Sequence, residues 1–214
     1  MRQAAGFSLL EVLLAMSLGL LLLLAGSRVF ISALQSWKVQ EAAARLQEDA
    51  RFALHRLAGD IRMAGMFGCL RQDAMSFPDA ATARLFEQPF TLEQANDGGL
   101  QSLTLISAEW GELAGAPDWT LVTDCRTRAV IAKGRASPGP GMVAVPIRQH
   151  VYRLEGSSLK LGNGSSNAVL VDNVGRLDVR RDDDRVMLSL TLEEPGKRVR
   201  PQTYELTVVR RNDH

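Results

Sequence analysis

Few side chains in this chain could do chemistry. A lone carboxylate, Glu11, stands inside the apolar run GFSLLEVLLAMSLGLLLLLAGS, residues 6–27. An ionisable group in an apolar stretch of membrane length is costly, so it marks a functional position by default. The three histidines are His55, on a charged amphipathic stretch, His150, and the terminal His214. No metal-ligand spacing joins them, and neither an HExxH pair nor a phosphate loop is present. GNGSSN (Gly162–Asn167) is glycine-rich but lacks a lysine and a strand-to-helix setting, so it reads as a surface loop. Asn163-Gly164-Ser165 matches a glycosylation sequon and is read as chance. Asp182-Asp183-Asp184 would suit calcium, a hard cation. Arg180, Arg181 and Arg185 flank these carboxylates and would neutralise them, which favours a solvated turn. Arg198, Arg200, Arg210 and Arg211 could meet DNA. Without interleaved aromatics they fit better as a charged sheet edge that resists aggregation. No enzyme, metal or cofactor is expected.

The positioning elements start with the apolar run. The chain has 214 residues, enough for one globular domain plus an appendage. A net charge of +1 does not point to nucleic acid, whose partners usually carry a basic excess. Three readings fit the run. A cleaved secretory signal would use Arg2, the apolar core and the small residues Ala25-Gly26-Ser27, but Glu11 weakens that core. A plain anchor also fits, since a helix from Phe7 to Ser27 covers roughly 30 Å, the thickness of a bilayer core. The third reading rests on residue order: a polar leader, Met1–Ala5, ends in Gly6 and is followed by Phe7 and Ser-Leu-Leu-Glu. Ala15, Gly19 and Gly26 recur at roughly helical intervals and could form a strip for close helix packing. Gly19 is also a candidate soft point.

Two cysteines, Cys69 and Cys125, both follow the run. With the N-terminus inside, both would reach an oxidising compartment and a disulfide would be expected. Two separate buried thiols are the alternative.

No proline precedes Pro78, so nothing breaks a helix early. Leu46, Ala50, Ala53, Leu57 and Ile61 fall three or four apart on one face, and Glu41, Arg45, Glu48, Arg51 and Arg56 populate the other. A helix over 7–64 is predicted, with 7–27 spanning the membrane, 28–64 amphipathic, and Gly65 as its stop. Residues 65–99 read as an irregular connection with a short helix around Ala80–Glu87. Strand signals start at Leu100–Ser107 and continue through TLVTDC, RAVIAKG, the hairpin of Val151–Leu154 with Leu159–Leu161, AVLVDNVGRLDVRR, and the pair RVMLSLTLEE and YELTVVRRND. The expected class is α+β, a long N-terminal helix packed on a mostly antiparallel sheet spanning 100–214.

GFSLLE resembles the processing site of type IV prepilins, precursors of pilins and of type II secretion pseudopilins. RLQEDARFALHRLAGDIRMAGMFGC, YRLEGSSL, LVDNVGRLDV and the terminal VVRRN are similar to the PilW family of minor pilins. The likeness is densest over 6–69 and thin over 75–146. The resemblance implies a pilin-like fold, with 1–6 as a leader cut between Gly6 and Phe7 by a membrane aspartyl peptidase. Phe7 would be N-methylated, and Glu11 would pair with the N-terminal amine of a neighbouring subunit to set register. It also implies a bacterial inner-membrane protein with a periplasmic C-terminal domain that enters an extracellular pilus, as used in twitching motility and cell adhesion. The partners implied are other minor pilins, the major pilin, the prepilin peptidase, the assembly platform and lipid, with no nucleic acid. A minor pseudopilin of type II secretion shares this N-terminal logic. A ligand- or DNA-binding module on a permanent anchor would instead keep its N-terminus intact.

Overall fold

The computed structural model describes residues 8–109, 115–163 and 166–212. The chain divides into two compact units, 1–45 and 46–214. One helix, α1 (Leu9–Met63), contributes residues to both.

In the first unit α1 continues through Gly19 and Gly26 without interruption. Among the described residues, no atom beyond the helix's own turns lies within 4 Å of where a Cβ would stand on either glycine. The apolar window is long enough to cross a membrane, and none of it is buried. Leu9, Leu22 and Leu23 are each at least 70% exposed, as a lipid-facing surface would be.

In the second unit the rest of α1 turns its apolar stripe inward. Leu46, Ala50, Ala53, Leu57 and Ile61 are all buried, joined by Leu54 and Ala58. Each such leucine or isoleucine contributes about 1.5–3 kcal/mol by leaving water. The helix stops where Gly65 takes φ 81°, a left-handed conformation that glycine adopts without penalty. The Gly65 N–H donates to the Ile106 carbonyl at 2.9 Å, which ties the helix end to the sheet.

Eleven strands follow among the described residues: β1 (Met75–Ser76), β2 (Phe90–Gln94), β3 (Leu100–Ala108), β4 (Trp119–Thr123), β5 (Ala129–Lys133), β6 (Val143–Glu155), β7 (Ser158–Asn163), β8 (Ser166–Val171), β9 (Val174–Asp182), β10 (Arg185–Leu192) and β11 (Gln202–Val209). A second helix, α2 (Ala80–Glu87), starts at Asp79, whose carboxylate accepts the Thr82 N–H at 2.7 Å. The fold is α+β and mostly antiparallel; among the described strands only the β1–β5 pair is parallel.

The strands form two sheets. The larger runs β1-β5-β4-β6-β3-β2, with β7 and β8 branching from β6; the smaller runs β11-β10-β9. The long strand β6 makes the branch possible: residues 143–147 pair with β4 and residues 151–155 with β7. Directly opposed residues share a face, so register separates two cores. Leu103 faces Tyr152 in the core beneath α1, which the smaller sheet also lines through Leu177, Val186, Leu190 and Val208. Ala108 faces Ile147, and Ile147 faces Trp119, in a second core on the opposite side of the larger sheet. There α2 inserts Phe86 between Phe67 and Trp119, with ring centroids 4.6 and 5.4 Å away.

Three expectations change. Residues 65–99 are not merely an irregular connection, since β1 and β2 lie there and the larger sheet begins before residue 100. The strand region makes two sheets rather than one, because among the described residues β9–β11 pair only among themselves. The helix begins at Leu9 and ends at Met63, against an expected 7–64.

Candidate functional site

At the start of α1 the geometry is local. The Ser8 Oγ accepts the Leu10 N–H at 3.3 Å, and the Glu11 Oε2 accepts the Ser8 N–H at 3.0 Å. Ser8 caps the helix at its second residue, and the glutamate three residues on reaches back as in a capping box; together they satisfy donors that a helix start leaves without partners. The pattern is legible in Ser-Leu-Leu-Glu, so Glu11 is a helix cap as well as a charge in an apolar run. An ionised carboxylate has about four lone-pair sites, so one bond to Ser8 leaves room for a cation. Among the described residues Glu11 makes no ion pair. Gly6 and Phe7, the expected cleavage and methylation positions, lie outside the described residues, as do the rest of the leader and His214.

A second constellation lies in the other unit. Asp60, on the last turns of α1, accepts from Tyr152 Oη and from Arg56 Nε, both through Oδ2. The His150 Nδ1 stands 3.4 Å from the same oxygen. Farther along β6, Arg148 Nε donates to Glu109 Oε2 at 2.6 Å. Tyr152 is fully buried. Burial, then the Asp60 charge, pushes its phenol up. Burial holds the His150 imidazole below its ordinary value, the Asp60 charge opposes this, and Arg56 adds to it. The cluster joins helix to sheet through charge-assisted bonds.

Cys69 and Cys125 are bonded, with Cα atoms 5.4 Å apart. The β4–β5 turn presents Cys125 at φ 57°. Asp124 Oδ1 shapes that turn by accepting the N–H groups of Arg126, Thr127 and Arg128, each at 2.9 Å. Those three donors hold the Asp124 carboxyl well below the usual carboxylate range.

The remaining candidates are scattered. Among the described residues no group of three or more His, Cys, Asp or Glu side chains forms a metal site. Asp183 sits in the β9–β10 turn at φ 53°. Arg198 donates to Glu194, and Arg210 lies over the Phe90 ring, 5.3 Å from its centroid. His55 is on the exposed side of α1.

Residues 1–27 match the prokaryotic N-terminal methylation motif. The chain carries a prepilin-type motif that overlaps the start of a helix able to cross a membrane, which supports a type IV pilin-like or pseudopilin-like protein and is consistent with membrane anchoring. No curated protein and no solved structure matches the chain.

Proposed function

We propose that the chain is a PilW-like minor pilin that promotes assembly of a type IV pilus, and that its work is structural rather than catalytic. The observation that carries this is the methylation motif at 1–27, which runs into the first turns of a 55-residue helix whose other end packs on a sheet domain. On this reading the peptidase cuts after Gly6, and the freed amine of Phe7 needs an anion in lipid. Glu11 of a neighbouring subunit supplies it, since opposite charges in a low dielectric recover part of their desolvation cost. A subunit out of register leaves both charges unpaired. Other minor pilins, the major pilin and the inner-membrane platform are the partners, and the sheet domain faces the periplasm before assembly. A minor pseudopilin of type II secretion uses the same N-terminal physics; copurification with secretion rather than pilus components would favour it.

Mass spectrometry of the mature protein provides the first test. The expected product starts at Phe7 and carries one added methyl group. Material still starting at Met1, or cut beyond Ser27, overturns the proposal. A second test separates charge from capping. Glu11→Gln keeps an acceptor for the Ser8 N–H, so the capped helix persists. It is expected to be processed normally yet to be depleted from sheared pili, as Glu11→Ala is. Normal incorporation of Glu11→Gln would show that the charge has no assembly role.

A further inference from the structure

We infer that the free edge of β11 is a strand-addition surface for an extended segment of a different protein. That segment turns apolar and acidic side chains toward α1 and a basic side chain toward Glu205. β11 pairs with β10 over its whole length without a bulge, and with no other strand among the described residues. The Arg210 N–H donates to the Asp184 carbonyl at 2.7 Å, which sets the phase of the ladder. Bonded and non-bonded pairs alternate in an antiparallel ladder. Even-numbered residues of β11 therefore bond toward β10, and Thr203, Glu205, Thr207 and Val209 turn their backbone N–H and C=O outward. No proline interrupts the strand, one of the usual devices that blunt an edge. The sheet's other edge is occupied: Gln94 Nε2 donates to the Val179 carbonyl at 3.0 Å, and the Arg176 guanidinium to the Asp97 carbonyl at 2.8 Å.

A groove of about 610 Å³ runs beside the open edge, lined from α1 by Gln47, Arg51, Leu54 and His55 and from β11 by residues 203–206. A strand added about 4.8 Å from β11 would lie along it, dropping every second side chain into it. Leu54 and Leu206 favour apolar groups there, and the exposed Arg51 favours a carboxylate. The alternate side chains emerge beside Glu205, where a cation is favoured across the strands. A second copy of β11 fits poorly, because its groove-facing set runs Gln202, Tyr204, Leu206, Val208 and then Arg210, with no acid to meet Arg51. The edge is open whether or not the N-terminus is processed, so its test is separate from that of the pilin reading.

The probe is a synthetic peptide of the length of β11, with valine and glutamate alternating along one face and threonine and lysine along the other. It is added to the full chain in detergent micelles. Hydrogen exchange at the Thr203, Glu205, Thr207 and Val209 amides is expected to slow as binding saturates. Arg51→Glu is expected to weaken this peptide about tenfold and to favour one with lysine in place of glutamate. Thr207→Pro removes an outward N–H without breaking the β10 ladder, and is expected to abolish binding while thermal unfolding stays cooperative. Unchanged exchange at high peptide concentration overturns the proposal, as does Thr207→Pro binding like the wild type. Protection of the same amides that rises with chain concentration alone would mean pairing of two copies, and also overturns it.

Discussion

At Asp60 one carboxylate oxygen collects Tyr152 Oη and Arg56 Nε, and His150 Nδ1 stands 3.4 Å from it. Tyr152→Phe keeps the ring's packing but deletes a bond to a charged acceptor, so unfolding free energy should fall by about 1–3 kcal/mol in denaturant titration. The histidine makes stability depend on pH. Its folded-state value lies below the ordinary 6.5, because burial outweighs the Asp60 charge. Below about pH 6.5 the unfolded chain binds a proton that the folded chain resists, so stability is lost as pH falls. The loss stops growing once pH passes below the folded value. The groups facing His150 are Asp60 and Arg56 from α1, Glu109 just after β3, and Arg148 from β6. Thermal melts between about pH 7.5 and 5 should show the loss in the wild type and a flatter profile in His150→Gln. Asp79, held at about 2 by Lys133 and the Thr82 N–H, adds a separate loss only under much stronger acid.

At the scale of elements, the end of α1 is the most constrained junction. Gly65 has φ 81°, and a Cβ there would meet the Asn212 carbonyl oxygen at 2.9 Å. Gly65→Ala should therefore cost about 1–3 kcal/mol, read as a lower denaturation midpoint with an unchanged slope. The stripe that docks α1 was legible because its period is local: Leu46, Ala50, Ala53, Leu57 and Ile61 repeat at helical spacing and are buried together. The helix at Ala80–Glu87 lies where the sequence placed it, with Asp79 as its cap. β2 was not legible. Its residues, FTLEQ, alternate for too short a stretch to stand out from a loop, and become a strand only against β3.

For the whole molecule, the Cys69–Cys125 bond joins the segment after α1 to the β4–β5 turn across 56 positions. Replacing both cysteines by alanine should remove about 2–5 kcal/mol, because closing so long a loop restricts the unfolded chain most. In a domain of this size Tm should fall roughly 2–4 °C for each kcal/mol. By itself the sequence determined the α+β class, the membrane-length helix, its stop at Gly65 and the prepilin-type motif. All of these are written in neighbouring residues through hydropathy, periodicity and short-range backbone preference. Only tertiary structure decided that the strands split into two sheets, that Tyr152 meets Asp60 from 92 positions away, and that β11 is left at an edge. Those outcomes depend on which distant segments bury one another best, a choice made by summed burial and pairing over the chain and carried by no single stretch of it.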